Sequence, residues 1–100
     1  MAYRIRFSRS ARSDLNEIVR YISTDDRKHA FRFVTFLIQQ AMSLDQLPER
    51  GRVVPEFGDE SLRELIVRAY RIVYRVDHRN HSVEIIRFWH AGRAEPYLPC

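Results

Sequence analysis

The chain has 100 residues, of which 45% are hydrophobic and 30% charged, with 17 Lys and Arg against 13 Asp and Glu. That is material for one domain and too little for two cores, and the composition excludes a disordered tail or a fibre. No apolar run approaches the roughly 18 residues of a membrane span, so no membrane association is expected.

Lys28 is the only lysine, so the net charge of +4 is carried by arginine. Its planar fork of donors suits phosphate or carboxylate, which points to nucleic acid or an acidic protein partner. Thermophily, a GC-rich genome or plain solubility would leave the same bias. Cys100 is the sole cysteine and the last residue, so no disulfide framework forms within the chain. That suits a reducing, cytoplasmic location, and Met1 to Phe7 has none of the organisation of a signal peptide.

Tyr3, Ile5 and Phe7 alternate with Arg4 and Arg6, the period of a half-buried strand. Ser8 or Ser10 then caps a first helix, on which Ala11, Leu15, Ile18, Val19 and Ile22 form the apolar side and Arg12, Asp14, Glu17 and Arg20 the polar one. It should stop near Ser23, followed by an acidic break at Asp25 and Asp26 that suits the positive end of a second helix. The second helix runs from about Asp26 to Leu44, with Ala30, Phe33, Val34, Leu37, Ala41 and Leu44 as its core stripe. Phe31, Ile38 and Met42 widen the apolar face, either for the first helix to pack on or as a docking surface for a partner.

Pro48 and Gly51 end the helical part, and Arg52 to Phe57 is extended, with Pro55 confining it to an edge or an irregular lead-in. After a turn at Gly58 to Ser61 come three strands: Leu62 to Val67, Tyr70 to Asp77 and Ser82 to His90. A helical hairpin (about 9–46) followed by a β meander (about 52–90) is an α+β domain, the hairpin packed on a mainly antiparallel sheet. Strands this close in sequence leave no room for helical crossovers between them.

In Tyr70 to Val76, Arg71, Val73 and Arg75 project opposite to Tyr70, Ile72, Tyr74 and Val76. In the last strand Val83, Ile85, Arg87 and Trp89 should share one face, and Glu84, Ile86, Phe88 and His90 the other. One sheet face must meet the helices. The other then carries arginines at two-residue spacing and, with Arg63 and Arg68 nearby, is a basic-patch candidate. A solvated face with cross-strand Arg–Glu pairs, to Glu64 or Glu84, is the competing reading. Trp89 and the tyrosines suit a core or rim better than base stacking.

His90 ends the last strand. As a general acid or base it would work with Arg71 and Arg93 stabilising charge and Glu56 as a second acid–base group, in an RNA cleavage where the ribose 2′-hydroxyl attacks. The plainer role is to bond a neighbouring loop at the strand end. The four histidines are dispersed and no Gly-rich phosphate loop exists, so neither a metal nor a nucleotide cofactor is expected.

Ala11, Asp14-Leu15, Ile18 and Tyr21-Ile22, then Gly51-Arg52-Val53-Val54-Pro55-Glu56, Leu62-Arg63-Glu64-Leu65, Tyr70-Arg71-Ile72-Val73-Tyr74-Arg75-Val76 and Val83-Glu84-Ile85-Ile86 to His90 together resemble the RelE/ParE superfamily, the toxins of type II toxin–antitoxin pairs. The resemblance covers nearly the whole chain. It implies a single toxin domain, residues 1–100, of β-α-α-β-β-β arrangement, and an acidic antitoxin, encoded adjacently, that docks on the apolar helix at Phe31, Ile38 and Met42. The opening pattern Ala-x-x-Asp-Leu-x-x-Ile-x-x-Tyr-Ile and the long second helix are similar to the ParE-like branch, which arrests growth by poisoning DNA gyrase and needs no catalytic residues. In the RelE-like branch, which cleaves mRNA on the ribosome, Arg71, Glu56 and His90 would be catalytic; the lysine pair of that branch is absent. Arg63, Arg75, Arg87, Arg93 and Tyr97 would contact the nucleic acid or other target. A degenerate, non-toxic binding module is the third expectation.

Overall fold

The Ser8 side chain opens the helical part by accepting the Ala11 N–H at 3.0 Å, while its own backbone stays extended. The computed structural model describes residues 2–93 and 96–98, and Cys100 lies outside them. In chain order the elements are β1 (Arg4–Phe7), α1 (Arg9–Ser23), α2 (Arg27–Met42), a short 3-10 turn (Ser43–Asp45), β2 (Arg52–Val53), β3 (Leu62–Val67), β4 (Tyr70–Asp77) and β5 (Ser82–His90). Asp26 caps α2, accepting the His29 N–H at 3.1 Å. All six residues of the expected α2 stripe are buried.

The five strands form one sheet in the order β1-β5-β4-β3-β2. The β2 to β5 meander is antiparallel, and β1 lies parallel to β5, with Phe7 opposite Ile85 as its last pair. β2 is only two residues long because the chain turns at Val54 to Phe57. Gly51, just before it, comes so close to the Glu64 backbone that a Cβ would sit 2.4 Å from the Glu64 carbonyl oxygen; the Gly51 N–H donates to the buried Tyr74 hydroxyl at 2.9 Å.

The helices pack on one face through Ala11, Ile18, Leu37, Ile72, Tyr74, Ile85 and Phe88 among others. The opposite face is not a purely polar surface. Val54, Leu62, Val73 and Ile86 form a second small core there, with Leu98 packed against it.

Two expectations about faces are corrected. The register of β4 against β5 slips between Val73 and Tyr74: Val73 pairs with Arg87 and Tyr74 with Ile85, leaving Ile86 as an extra residue. This bulge breaks strict alternation. Val83 and Ile85 face the helices, but Arg87 and Trp89 do not share that face; Phe88 takes it instead. Asp14, expected on the polar side of α1, is buried at 6% exposure, and Val19, expected in the core, is 37% exposed. At about 100° per residue Asp14 lies only about 40° from Ile18, whereas Val19 lies about 100° from it.

Candidate functional site

On the sheet face away from the helices, β3 and β4 place Glu64 and Arg71 on one side of the sheet, and the turn after β2 brings Glu56 over them. The Arg71 Nε donates to Glu64 Oε1 at 2.6 Å, and its two terminal nitrogens donate to the two Glu56 oxygens at 2.8 and 2.7 Å. The Glu64 side chain has no exposed surface, and Arg52 Nε caps its other oxygen at 2.7 Å. Two carboxylates therefore meet two guanidiniums, and the cluster has no surplus positive charge. The bond from Arg71 holds the Glu56 carboxyl at about 2, well below its usual range. The same pair pushes the Arg71 guanidinium further up. A carboxylate this acidic is a poor general base near neutral pH.

His90 does not join this cluster. It pairs with Tyr70, while Arg71 pairs with Trp89, and successive strand residues point to opposite faces. The His90 ring packs edge-on against Tyr70 at 5.3 Å, and its Nδ1 accepts the Gly92 N–H at 3.0 Å. It borders a cleft of about 300 Å³ on the helix side, with Glu17, Tyr21, Tyr70 and Arg93. Burial raises the Tyr70 phenol above its ordinary value there, with Tyr21 adding to the effect. The structure thus brings Glu56 and Arg71 together and places His90 across the sheet from them.

Of the other arginines of the expected patch, Arg63 and Arg75 also have acidic partners. Arg75 bonds Asp59 at 3.3 Å and the Ser61 hydroxyl at 2.9 Å. Arg63 donates to the Gly51 and Glu60 carbonyls and lies 3.6 Å from Glu49. Arg68 sits at the β3–β4 turn with φ 54° and stacks over Phe33 and Phe36, on the helix side. The basic-patch reading is therefore corrected in favour of paired arginines: acids at 49, 56, 59 and 64 reach the same region.

Asp14 and Glu64 are the residues the sequence reading did not single out as site residues. β1 ends at Phe7, so β5 beyond Ile85 has no strand on its outer edge. Asp14 fills that edge, accepting the Phe88 N–H at 3.0 Å and holding Arg87 through both oxygens at 2.8 and 2.7 Å. Arg87 also donates to the Tyr97 carbonyl at 2.8 Å, tying the C-terminal segment to the sheet, while Tyr97 as a whole is 70% exposed. Arg87 and Arg93 both lie over the Trp89 ring, at 4.6 and 4.0 Å. The signal for Asp14 was its helical angle. On α2, Phe31 and Met42 are exposed, whereas Ile38 is half-buried against the main core.

A profile of the family described as the ParE toxin of type II toxin–antitoxin system, parDE, matches residues 5–95. No curated protein matches the chain. Among solved structures, the chromosomal ParDE TA system from P. aeruginosa is 21% identical, covering 89% of this chain and 96% of that one, with a TM-score of 0.73. The toxin–antitoxin complex RelBE2 from Mycobacterium tuberculosis is 24% identical, covering 95% of each chain, with a TM-score of 0.69. A double arginine mutant of the E. coli toxin RelE in the free state is 18% identical, covering 94% and 88%, with a TM-score of 0.66. These structures share the fold of two helices followed by the meander. The chain belongs to the ParE toxin family of type II toxin–antitoxin systems.

Proposed function

We propose that this toxin arrests growth by inhibiting DNA gyrase and that a cognate acidic antitoxin, encoded adjacently, neutralises it. The observation that carries this reading is the separation of His90 from the Glu56–Arg71 pair by the thickness of the sheet. A ribonuclease built on these three groups needs them around one phosphodiester. A gyrase poison needs only a binding surface. The family match and a second helix of 16 residues support the same choice. The net charge of +4, the exposed Met42, and the toxin–antitoxin nature of the solved ParDE and RelBE2 systems support the antitoxin partner.

The test is to add purified protein to a gyrase supercoiling reaction and, in parallel, to map mRNA 5′ ends within minutes of induction. Lost supercoiling with intact messages, unchanged by His90→Ala, is the expected result. New in-frame cuts inside translated messages, abolished by His90→Ala, would establish the ribosome-dependent endonuclease instead. Normal growth on induction would leave the non-toxic binding module.

A further inference from the structure

Three cations at the start of α2 stand close together on the surface of the helical hairpin. From β2 to β5, Arg52, Arg63, Arg71, Arg75 and Arg87 each have an acidic partner within 4 Å. Among the described residues, no hydrogen bond or ion pair engages the side chains of Arg27, Lys28 or Arg32 in the first two turns of α2. These three line a surface depression of about 330 Å³ whose fourth wall is Phe31. Phe31 is 75% exposed, whereas Phe33 on the same helix is buried. Lys28 and Phe31 are three residues apart, and Arg27–Phe31 and Lys28–Arg32 four apart, so all four side chains share one patch of helix surface. Asp26 nearby is committed to capping the helix.

We propose that this depression binds single-stranded nucleic acid, an unstacked base lying on the Phe31 ring and the flanking phosphates pairing with Arg27, Lys28 and Arg32. A lone accessible ring inside a ring of cations is the combination such ligands need: a π-face for the base and donors for the backbone. An acidic helix would instead need a continuous apolar groove at several helical positions, and here cations surround a single ring. A duplex keeps its base faces stacked and would use the charges but not the ring. Met42 lies 11 residues further along α2, about 16 Å at 1.5 Å per residue. The Phe31 end can therefore take its own ligand, whether or not gyrase is the toxin's target.

The experiment is fluorescence anisotropy of a labelled 15-nucleotide thymidine oligomer, a duplex of equal length and a poly-glutamate peptide, each titrated with the full chain and with two variants. The wild type should bind the single strand more tightly than the duplex. Phe31→Leu, at an exposed position, should leave the melting temperature unchanged and weaken single-strand binding about tenfold, within the range of one lost base stack, with no change for the duplex. The double change Arg27→Gln, Arg32→Gln should reduce the slope of log affinity against log salt by about 1.4, two phosphate contacts' worth. Absence of single-strand binding at low salt overturns the proposal. So does equal affinity for single strand and duplex untouched by Phe31→Leu, which would mark a nonspecific charged surface. Binding of poly-glutamate as tight as that of the oligomer would assign the depression to an acidic protein.

Discussion

Replacing Arg71 with alanine strands a carboxylate. The Glu64 side chain is fully buried and has two cationic partners, of which Arg52 is largely exposed and Arg71 is 10% exposed in its side chain. Removing Arg71 deletes the shielded partner and leaves a buried charge held from one side. Breaking a buried pair in this way costs about 3–5 kcal/mol, and the surviving Arg52 bond at 2.7 Å argues for the lower end, about 3 kcal/mol. For a domain of about 100 residues each kcal/mol shifts the melting temperature by about 4–8 °C, so Arg71→Ala should lower it by about 12–24 °C in a circular dichroism melt. Adding Glu64→Gln to that variant removes the stranded charge and should recover at least about 1 kcal/mol. A drop below about 4 °C for Arg71→Ala, or no recovery in the double variant, would refute the view of Arg71 as a neutralised structural cation. Loss of toxicity in Arg71→Ala without loss of stability would point the same way.

Glu56 is held near pKa 2, below the ordinary 4.5, so its ion pair stabilises the fold fully above about pH 4.5 and is lost as pH falls through about 2. Discounted for its partly exposed side chain, that contribution is about 1–2 kcal/mol; Glu56→Gln should lose it at pH 7 in urea denaturation and flatten the stability profile between pH 4.5 and 2. Gly51→Ala would press a Cβ against the Glu64 carbonyl and the Tyr74 hydroxyl, and should cost about 3 kcal/mol or more in the same assay. Asp14→Ala should cost about 3–5 kcal/mol, since it leaves the Arg87 guanidinium short of its carboxylate and the Phe88 N–H unpaired; hydrogen exchange at Phe88 should accelerate in step. An unchanged exchange rate would refute the edge-filling role.

Much of the fold was legible because it depends on local rules. The helical spacing of Ala30, Phe33, Val34, Leu37, Ala41 and Leu44 is a property of the chain alone, and all six are buried. Leu62–Val67, Tyr70–Asp77 and Ser82–His90 begin and end where their apolar alternation and turn residues say they should. The site was less legible. Arg71 and Glu56 were recognisable as residue types, but a guanidinium that grips phosphate and one saturated by two carboxylates look identical in sequence.

Residue periodicity, capping side chains and turn composition by themselves determined the element order, the α+β class and the α2 core stripe, since each of these is decided within a few residues of chain. Only the tertiary structure decided that β1 lies beside β5 and stops short of its end, that Asp14 fills the vacant edge, and that the extra residue Ile86 takes Arg87 off the face shared by Val83 and Ile85. It also decided which arginines are neutralised: acids 7 to 73 residues away in sequence close on the sheet's cations, while Arg27, Lys28 and Arg32 remain open. Charge pairing is a question of distance in space, and a linear pattern carries no information about it until the strands find their register.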